Sequence, residues 1–244
     1  GGRFFANAYA QYYRFDLFTN FTFFLNDPIN GDGFHQSDRR VVYGGDVGYK
    51  QLVRFFDMDG AATVGVQARV DDIHARLGPQ VKRAPLGTTV DSRIFEASYA
   101  PFLKLDLQPT SWLRLSGGVR TEVFTFDVRN RCVTCAEQPA GNTSSGLALP
   151  KMNVILGPWF STEFFANYGE GYHSNDARSA VAQAASPLAR AKNYEVGLRS
   201  IPWGPEGVEL TATLWALDLK QELVFVGDEG TTEIRGASRR RGME

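Results

Sequence analysis

The segment Ala62-Thr63-Val64-Gly65-Val66-Gln67-Ala68-Arg69-Val70-Asp71 alternates between apolar residues and polar residues or glycine. Successive side chains of a β-strand point to opposite faces, so the pattern predicts a strand with one greasy and one polar face. The same period recurs downstream. Phe95, Ala97, Tyr99, Leu103, Leu105 and Leu107 fall on one face, with Glu96, Ser98, Lys104 and Asp106 on the other. Leu113, Leu115, Val119 and Val123 oppose Arg114, Ser116, Arg120 and Glu122. Tyr194, Val196 and Leu198 oppose Asn193, Glu195, Gly197 and Arg199, and Val208, Leu210, Ala212 and Leu214 oppose Glu209, Thr211 and Thr213. Helical periodicity is nearly absent. Upstream, Ala6-Ala8-Ala10-Tyr12 and Tyr13-Phe15-Leu17 imply opposite faces, which a bulge near Tyr12 would reconcile.

The connections sort by length. Short ones fall at roughly 56–60, 108–111, 157–161 and 201–206, reading Asp57-Met58-Asp59-Gly60, Gln108-Pro109-Thr110-Ser111, Gly157-Pro158 and Pro202-Trp203-Gly204-Pro205. Long polar ones fall at roughly 26–40, 76–92, 129–147, 174–191 and 227–237, alternating strictly with the short ones. The result is about nine strands and the start of a tenth, an up-and-down meander with every long loop at one end. A soluble sandwich has Greek-key crossings and no reason to sort its loops this way. An outer-membrane barrel has short periplasmic turns and long external loops. Trp112, Trp159 and Trp203 all sit at short turns, where an interfacial aromatic girdle belongs. The reading is all-β, an antiparallel transmembrane β-barrel.

Composition agrees. Across 244 residues, 26 Lys+Arg meet 27 Asp+Glu for a net charge of −1, so no electrostatic footprint for nucleic acid exists. Hydrophobic residues make up 43 %, too many for a disordered chain. Mean hydropathy is −0.25, and no apolar run reaches the ~18 residues of a transmembrane helix. The chain holds 18 Phe, 9 Tyr, 4 Trp and 25 Gly, a mixture that favours strands joined by turns.

Several stretches resemble the barrel of TonB-dependent outer-membrane receptors. They are Pro150-Lys151-Met152-Asn153-Val154, Gly157-Pro158-Trp159, and the run Thr162-Glu163-Phe164-Phe165-Ala166-Asn167-Tyr168-Gly169-Glu170-Gly171-Tyr172-His173-Ser174-Asn175-Asp176-Ala177-Arg178. To these are added Asn193-Tyr194-Glu195-Val196-Gly197-Leu198-Arg199 and Glu222-Leu223-Val224-Phe225-Val226-Gly227-Asp228. The resemblance covers most of the chain and is densest from 148 to 242. It implies an energised importer of a scarce nutrient (ferric siderophore, haem, cobalamin or similar) in the outer membrane of a Gram-negative bacterium. Implied partners are the TonB complex of the inner membrane, the small-molecule ligand, and outer-membrane lipid and lipopolysaccharide. A 22-stranded barrel at about 25 residues per strand and connection needs roughly 550 residues. Residues 1–244 are therefore expected to be part of the barrel, an incomplete set of about nine to ten strands, with the plug domain and the remaining strands absent. The chain opens on Gly1-Gly2-Arg3 and closes on Gly242-Met243-Glu244, which reads as an interior piece. A passive pore or adhesion barrel without a plug is the alternative, and a barrel hydrolase a third.

On the barrel reading, Arg69, Asp71, Glu96, Lys104, Asp106, Arg114, Arg120, Glu122, Glu195 and Arg199 point into the lumen, since lipid could not satisfy them. Cys132-Val133-Thr134-Cys135 lacks the second dyad or histidines of a zinc site, and a loop disulfide between Cys132 and Cys135 is expected in an oxidising compartment. His35, His74 and His173 all fall at the long-loop end, where a barrel mouth could use them as ligand contacts. Asn26-Asp27-Pro28-Ile29-Asn30-Gly31-Asp32-Gly33 offers oxygens for calcium, but turn chemistry accounts for it. The Gly44-Gly45 and Gly117-Gly118 pairs mark bends or close approaches. No triad, carboxylate pair or phosphate loop stands out, so the chain is read as no enzyme, with no cofactor and no metal.

Overall fold

The computed structural model describes residues 1–244 except 57, 134, 136–137, 183–185, 204–206 and 227–230; for 222–226 and 231–235 only the backbone is described. Asp57, Thr134, Gly204 and Pro205, named above in turns and loops, lie outside the described residues, as do Gly227 and Asp228. The strands are β1 (Gly2–Thr19), β2 (Phe34–Phe55), β3 (Met58–Val81), β4 (Ala84–Pro85), β5 (Val90–Thr110), β6 (Leu113–Asn130), β7 (Gly141–Trp159) and β8 (Thr162–Ser174). A short helix α1 (Ala177–Val181) precedes β9 (Leu188–Ser200), β10 (Leu210–Leu219), β11 (Glu222–Val226), β12 (Thr231–Arg235) and β13 (Ser238–Met243). Ten of these strands pair in the order β1-β2-β3-β5-β6-β7-β8-β9-β10-β13, each antiparallel to its neighbour, and the sheet does not close. β4 adds to β3 at a hairpin tip, and β11 pairs with β12 in a separate ribbon.

The expected faces are present. Pairing places Phe4, Tyr49, Val64, Leu103 and Val119 in one row across five strands on the outward face, all large, with Tyr49 half-buried and the other four exposed. Outward residues of β3 from Gly60 to Val70 carry no charge. Those ten residue steps span about 33 Å along the strand, or about 25 Å along the membrane normal at a tilt of roughly 40°, the height of a lipid-facing band. At the short-turn end Trp112 and Trp159 stack with centroids 6.2 Å apart, and Trp203 is 71 % exposed beside them in the series of turns.

Two expectations need correction. β1 pairs with β2 without interruption from Gly2↔Gln51 to Thr19↔Phe34, so there is no bulge at Tyr12. The apolar set changes sides because its surroundings change. Above the band the outward face carries Arg14 and Asp16, while Tyr13 and Phe15 stack on the inward face. The same inversion puts Ile73, Ile94, Phe124, Phe126 and Val128 inward on β3, β5 and β6, where they form a buried cluster with Ala177 and Leu188. Secondly, much of what reads as long loop is strand: residues 34–40, 76–81, 90–92, 129–130 and 141–147 all extend the sheet. The outward face of these extensions is charged, carrying Arg39, Arg76, Asp91 and Arg129.

Candidate functional site

The concave face is built from cross-strand and same-strand polar pairs. Residues i and i+2 share a strand face, which lets an arginine fold onto an acid of its own strand. Arg69 donates to both Asp71 oxygens at 2.7 and 2.8 Å. Arg120 donates to Glu122 Oε2 at 2.9 and 2.6 Å and to Gln67 Oε1 at 2.7 Å. Lys104 lies 2.9 Å from Asp106, which also accepts from Ser116 Oγ at 2.6 Å. Glu163 joins Arg114 to Arg199, the latter at 2.6 Å. Glu195 accepts from Asn167 at 3.0 Å and Asn193 at 2.6 Å. All the charges expected in the lumen except Glu96 are thus partnered, in five separate groups that together make a polar lattice across the face.

Toward the long-loop end the lattice opens into two recesses of about 430 and 340 Å³ that share Arg40, Glu96 and Ser174. Tyr9, Arg40, Arg69, Asp71, Glu96 and Arg120 line the larger one, with Tyr172. Gly44 makes room for it: a Cβ there would sit 2.3 Å from the Tyr9 hydroxyl oxygen, so glycine lets the Tyr9 ring lie over the sheet. Glu122 is fully buried beneath, and its Oε1 has no partner among the described residues. Three guanidiniums, three carboxylates (with Asp46) and two phenols give a neutral, donor-rich wall that can hydrogen-bond a polar or anionic ligand.

Residues 174–178 line one side of the smaller recess. β8 leaves β7 beyond the Lys151–Gly169 pair and continues with β9 alone, and Tyr172 meets Phe124 with centroids 6.5 Å apart. Asn175, 5 % exposed, donates its N–H to Pro187 O at 3.0 Å and its side-chain amide to Ser186 O, which pins the base of the segment. Asp176 caps α1, accepting from the Arg178 N–H at 2.8 Å, and its carboxylate also binds the Arg178 guanidinium. Burial alone would raise the Asp176 carboxyl, but the hydrogen bonds and charge of Arg178 outweigh it and hold it below the usual range. Ala177 belongs to the apolar cluster and Val181 packs against it, while Ala180 is also buried. This helix and its apolar seat inside the mouth were missed in the sequence; the signals were Asp176 before an alanine-rich stretch and Phe124 and Phe126 on a polar-facing register.

The three histidines are not brought together. His35 and His74 lie on the outward face, each against a carboxylate, Asp16 at 2.9 Å and Asp91 at 2.8 Å. His173 is an exposed residue of β8. Cys132 and Cys135 are joined with Cα atoms 5.5 Å apart, and Cys135 Sγ lies 3.1 Å from Thr88 O. Asp32 spends its oxygens within its own loop: it accepts from Thr22 Oγ1 at 2.6 Å, Asn26 N at 3.0 Å and Asp27 N at 2.8 Å.

A family model described as TonB dependent receptor-like, beta-barrel, matches residues 2–244. No curated protein matches the sequence. Solved structures with the same fold include the ferric citrate transporter FecA in its unliganded form, at 16 % identity and a TM-score of 0.75, covering 99 % of this chain and 36 % of that one. The ferripyoverdine receptor of Pseudomonas aeruginosa follows at 12 % and 0.71, covering 99 % and 35 %. The copper transporter OprC stands at 16 % and 0.69, covering 98 % and 39 %. The chain thus spans under half the length of these three structures, which are receptors or transporters rather than enzymes.

Proposed function

Because this chain belongs to the TonB-dependent receptor family through its β-barrel, we propose that it is part of an outer-membrane receptor of a Gram-negative bacterium that imports a scarce chelated nutrient with TonB-coupled energy. On this reading residues 1–244 supply about ten strands of the barrel, and a plug domain and further strands come from the rest of the protein. The observation that carries it is the concave lattice of ion pairs opening into a polar recess at the long-loop end. A passive water-filled pore has no need of a mouth lined by a buried apolar cluster and a docked helix. The lattice seats the plug, and Tyr9, Arg40, Arg69 and Tyr172 face what enters from outside. The similar structures are a ferric citrate transporter, a ferripyoverdine receptor and a copper transporter, so a metal chelate is the proposed cargo class. His173 is a proposed contact at the mouth, and the Cys132–Cys135 bridge stiffens its loop.

Uptake of radiolabelled ferric citrate, ferric catecholate and copper by cells carrying the full-length protein tests this. Uptake of at least one that vanishes with a protonophore and in a TonB-deficient strain is expected. Uptake indifferent to both would favour the passive pore.

A further inference from the structure

Glu96 is an acid of the mouth that no cation holds. It is half-buried on the inward face of β5, opposite Asp71 of β3 and one step beyond the uncharged outward band that ends at Val70. On its other side it pairs with Phe126, a fully buried member of the apolar cluster that also contains Ala177 of α1. Glu96 lines both recesses, and in the smaller one it faces Asn175, Asp176 and Arg178. Each guanidinium around it is committed to another acid. Arg40 holds Asp38 through two N–H groups, one at 3.0 Å, and Arg69 holds both oxygens of Asp71. Arg178 holds Asp176 at 2.6 and 3.1 Å, and Arg120 is shared between Glu122 and Gln67. Glu96 itself makes no hydrogen bond or ion pair among the described residues. Asp46 is also without an ion pair there, but it lines only the larger recess, with Tyr9 and Tyr172.

Those surroundings favour the neutral acid. Burial pushes the Glu96 carboxyl up, the charge of Asp71 adds to the rise, Arg40 opposes it and Asp176 raises it again, to about 7. A neutral Glu96 no longer repels Asp176 at the foot of α1, and its O–H becomes a donor inside the recess. An ionised Glu96 meets two acids and an apolar wall, a position that is relieved when the segment lifts and water enters. We propose that Glu96 is a proton latch on the mouth: protonated, it lets the 174–182 segment stay seated on the inner wall, and ionised, it releases the segment and opens the smaller recess. The seated state then binds one proton more than the lifted state, in which the carboxyl returns toward its ordinary value near ~4.3. Seating is therefore strongest in acid, and it weakens by up to about tenfold per pH unit until the pH passes about 7. The latch belongs to the wall and needs no particular cargo, so seating and uptake are separate readouts.

The test is hydrogen exchange on the purified full-length protein in detergent micelles, from about pH 5 to about pH 8, with rates corrected for intrinsic chemistry. The reporters are the N–H groups of Asn175, Ala180 and Ala182, which donate to the carbonyls of Pro187, Asp176 and Arg178 at 3.0, 2.9 and 3.0 Å. In the wild type their protection falls by about tenfold or more across that range, while the strand amides of β3 keep theirs. Glu96→Gln, neutral and of the same size, holds protection at the acid level throughout. Asp71→Asn frees Arg69 for the Glu96 carboxylate and moves the fall to lower pH. Protection that does not change with pH in the wild type, or that changes equally in Glu96→Gln, overturns the latch. Protection lost at every pH in Glu96→Gln, with the β3 amides intact, overturns it too and makes Glu96 a packing residue. Heat-modifiable migration on gels confirms that each variant is folded. Should Glu96→Gln fail to fold, Asp71→Asn decides: a fall at the wild-type pH overturns the proposal.

Discussion

Single carboxylates decide how ordered the mouth is. Asp32 is 8 % exposed and gathers the Thr22 hydroxyl and the Asn26 and Asp27 N–H groups, while Asp27 in turn accepts from the N–H groups of Ile29 and Asn30 at 2.9 and 2.8 Å. Donation from Thr22, then from those backbone groups, holds the Asp32 carboxyl below the usual range; donation by Asn30 does the same for Asp27. A depressed carboxyl stabilises the fold above the ordinary aspartate value, near ~3.9, and the contribution is lost as pH falls through the depressed value. The loop at 20–33 is therefore expected to stay closed from neutrality down to mild acid and to open only in stronger acid. Hydrogen exchange at the Asn26 and Asp27 amides, corrected for intrinsic rate, should show protection at pH 7 that Asp32→Ala abolishes while the strand amides of β2 keep theirs. Undiminished protection in that variant would mean that the carboxylate is not what closes the loop.

At the scale of the strand, the sequence pattern predicts facing well wherever the surroundings stay the same along its length. Within the band, outward Val66 pairs with outward Val47 and Pro101, and inward Gln67 with Asp46 and Ala100, as period two requires. Putting arginine at Val66, near the middle of the band, should impair assembly by up to roughly 2–4 kcal/mol, while Leu115→Arg and Leu210→Arg, level with Gly60 and Trp159 at the short-turn edge, should cost about 0–1 kcal/mol; Gln67→Arg faces the lumen and should be milder than Val66→Arg. Folding into lipid vesicles followed by urea titration would read the difference, and similar losses at Val66 and Gln67 would undo the facing. The pattern misleads where a strand passes from lipid to water. At Tyr12 the apolar positions move from even to odd numbers, which in sequence looks identical to a one-residue bulge. Only the uninterrupted pairing shows that the strand is regular and the solvent has changed. The mouth was hard to read for the same reason: Phe124 and Phe126 keep the inward register of Glu122 and are buried because α1, some fifty residues later, folds onto them. The five-residue helix is too short to show a period.

The whole sheet exposes 15518 Å² to solvent. A compact monomer of 27.0 kDa exposes about 10,800 Å² by the usual scaling, so roughly 4,700 Å² is surface that ordinary soluble folding would have removed. Much of it is the outward band, where Phe4, Val64, Leu103, Val196 and Leu214 are each more than half exposed. A continuous outward band of exposed large apolar side chains exceeds what a soluble monomer carries, and a bilayer is the solvent that suits it. Lipid does not solve the second problem. β1 and β13 end the strand order without pairing to each other, so each presents a row of backbone N–H and C=O groups. In water such rows recruit other chains edge to edge, and in hydrocarbon each unpaired group costs several kcal/mol. Residues 1–244 expressed alone should therefore collect in inclusion bodies, and material refolded into detergent should elute as a broad distribution of oligomers without the heat-modifiable gel shift of a closed barrel. Supplying the remaining strands in the full-length protein should restore that shift. A monodisperse 27.0 kDa monomer in detergent-free buffer, unfolding in one cooperative step, would contradict the membrane assignment, because no soluble sheet could keep this band and both edges bare.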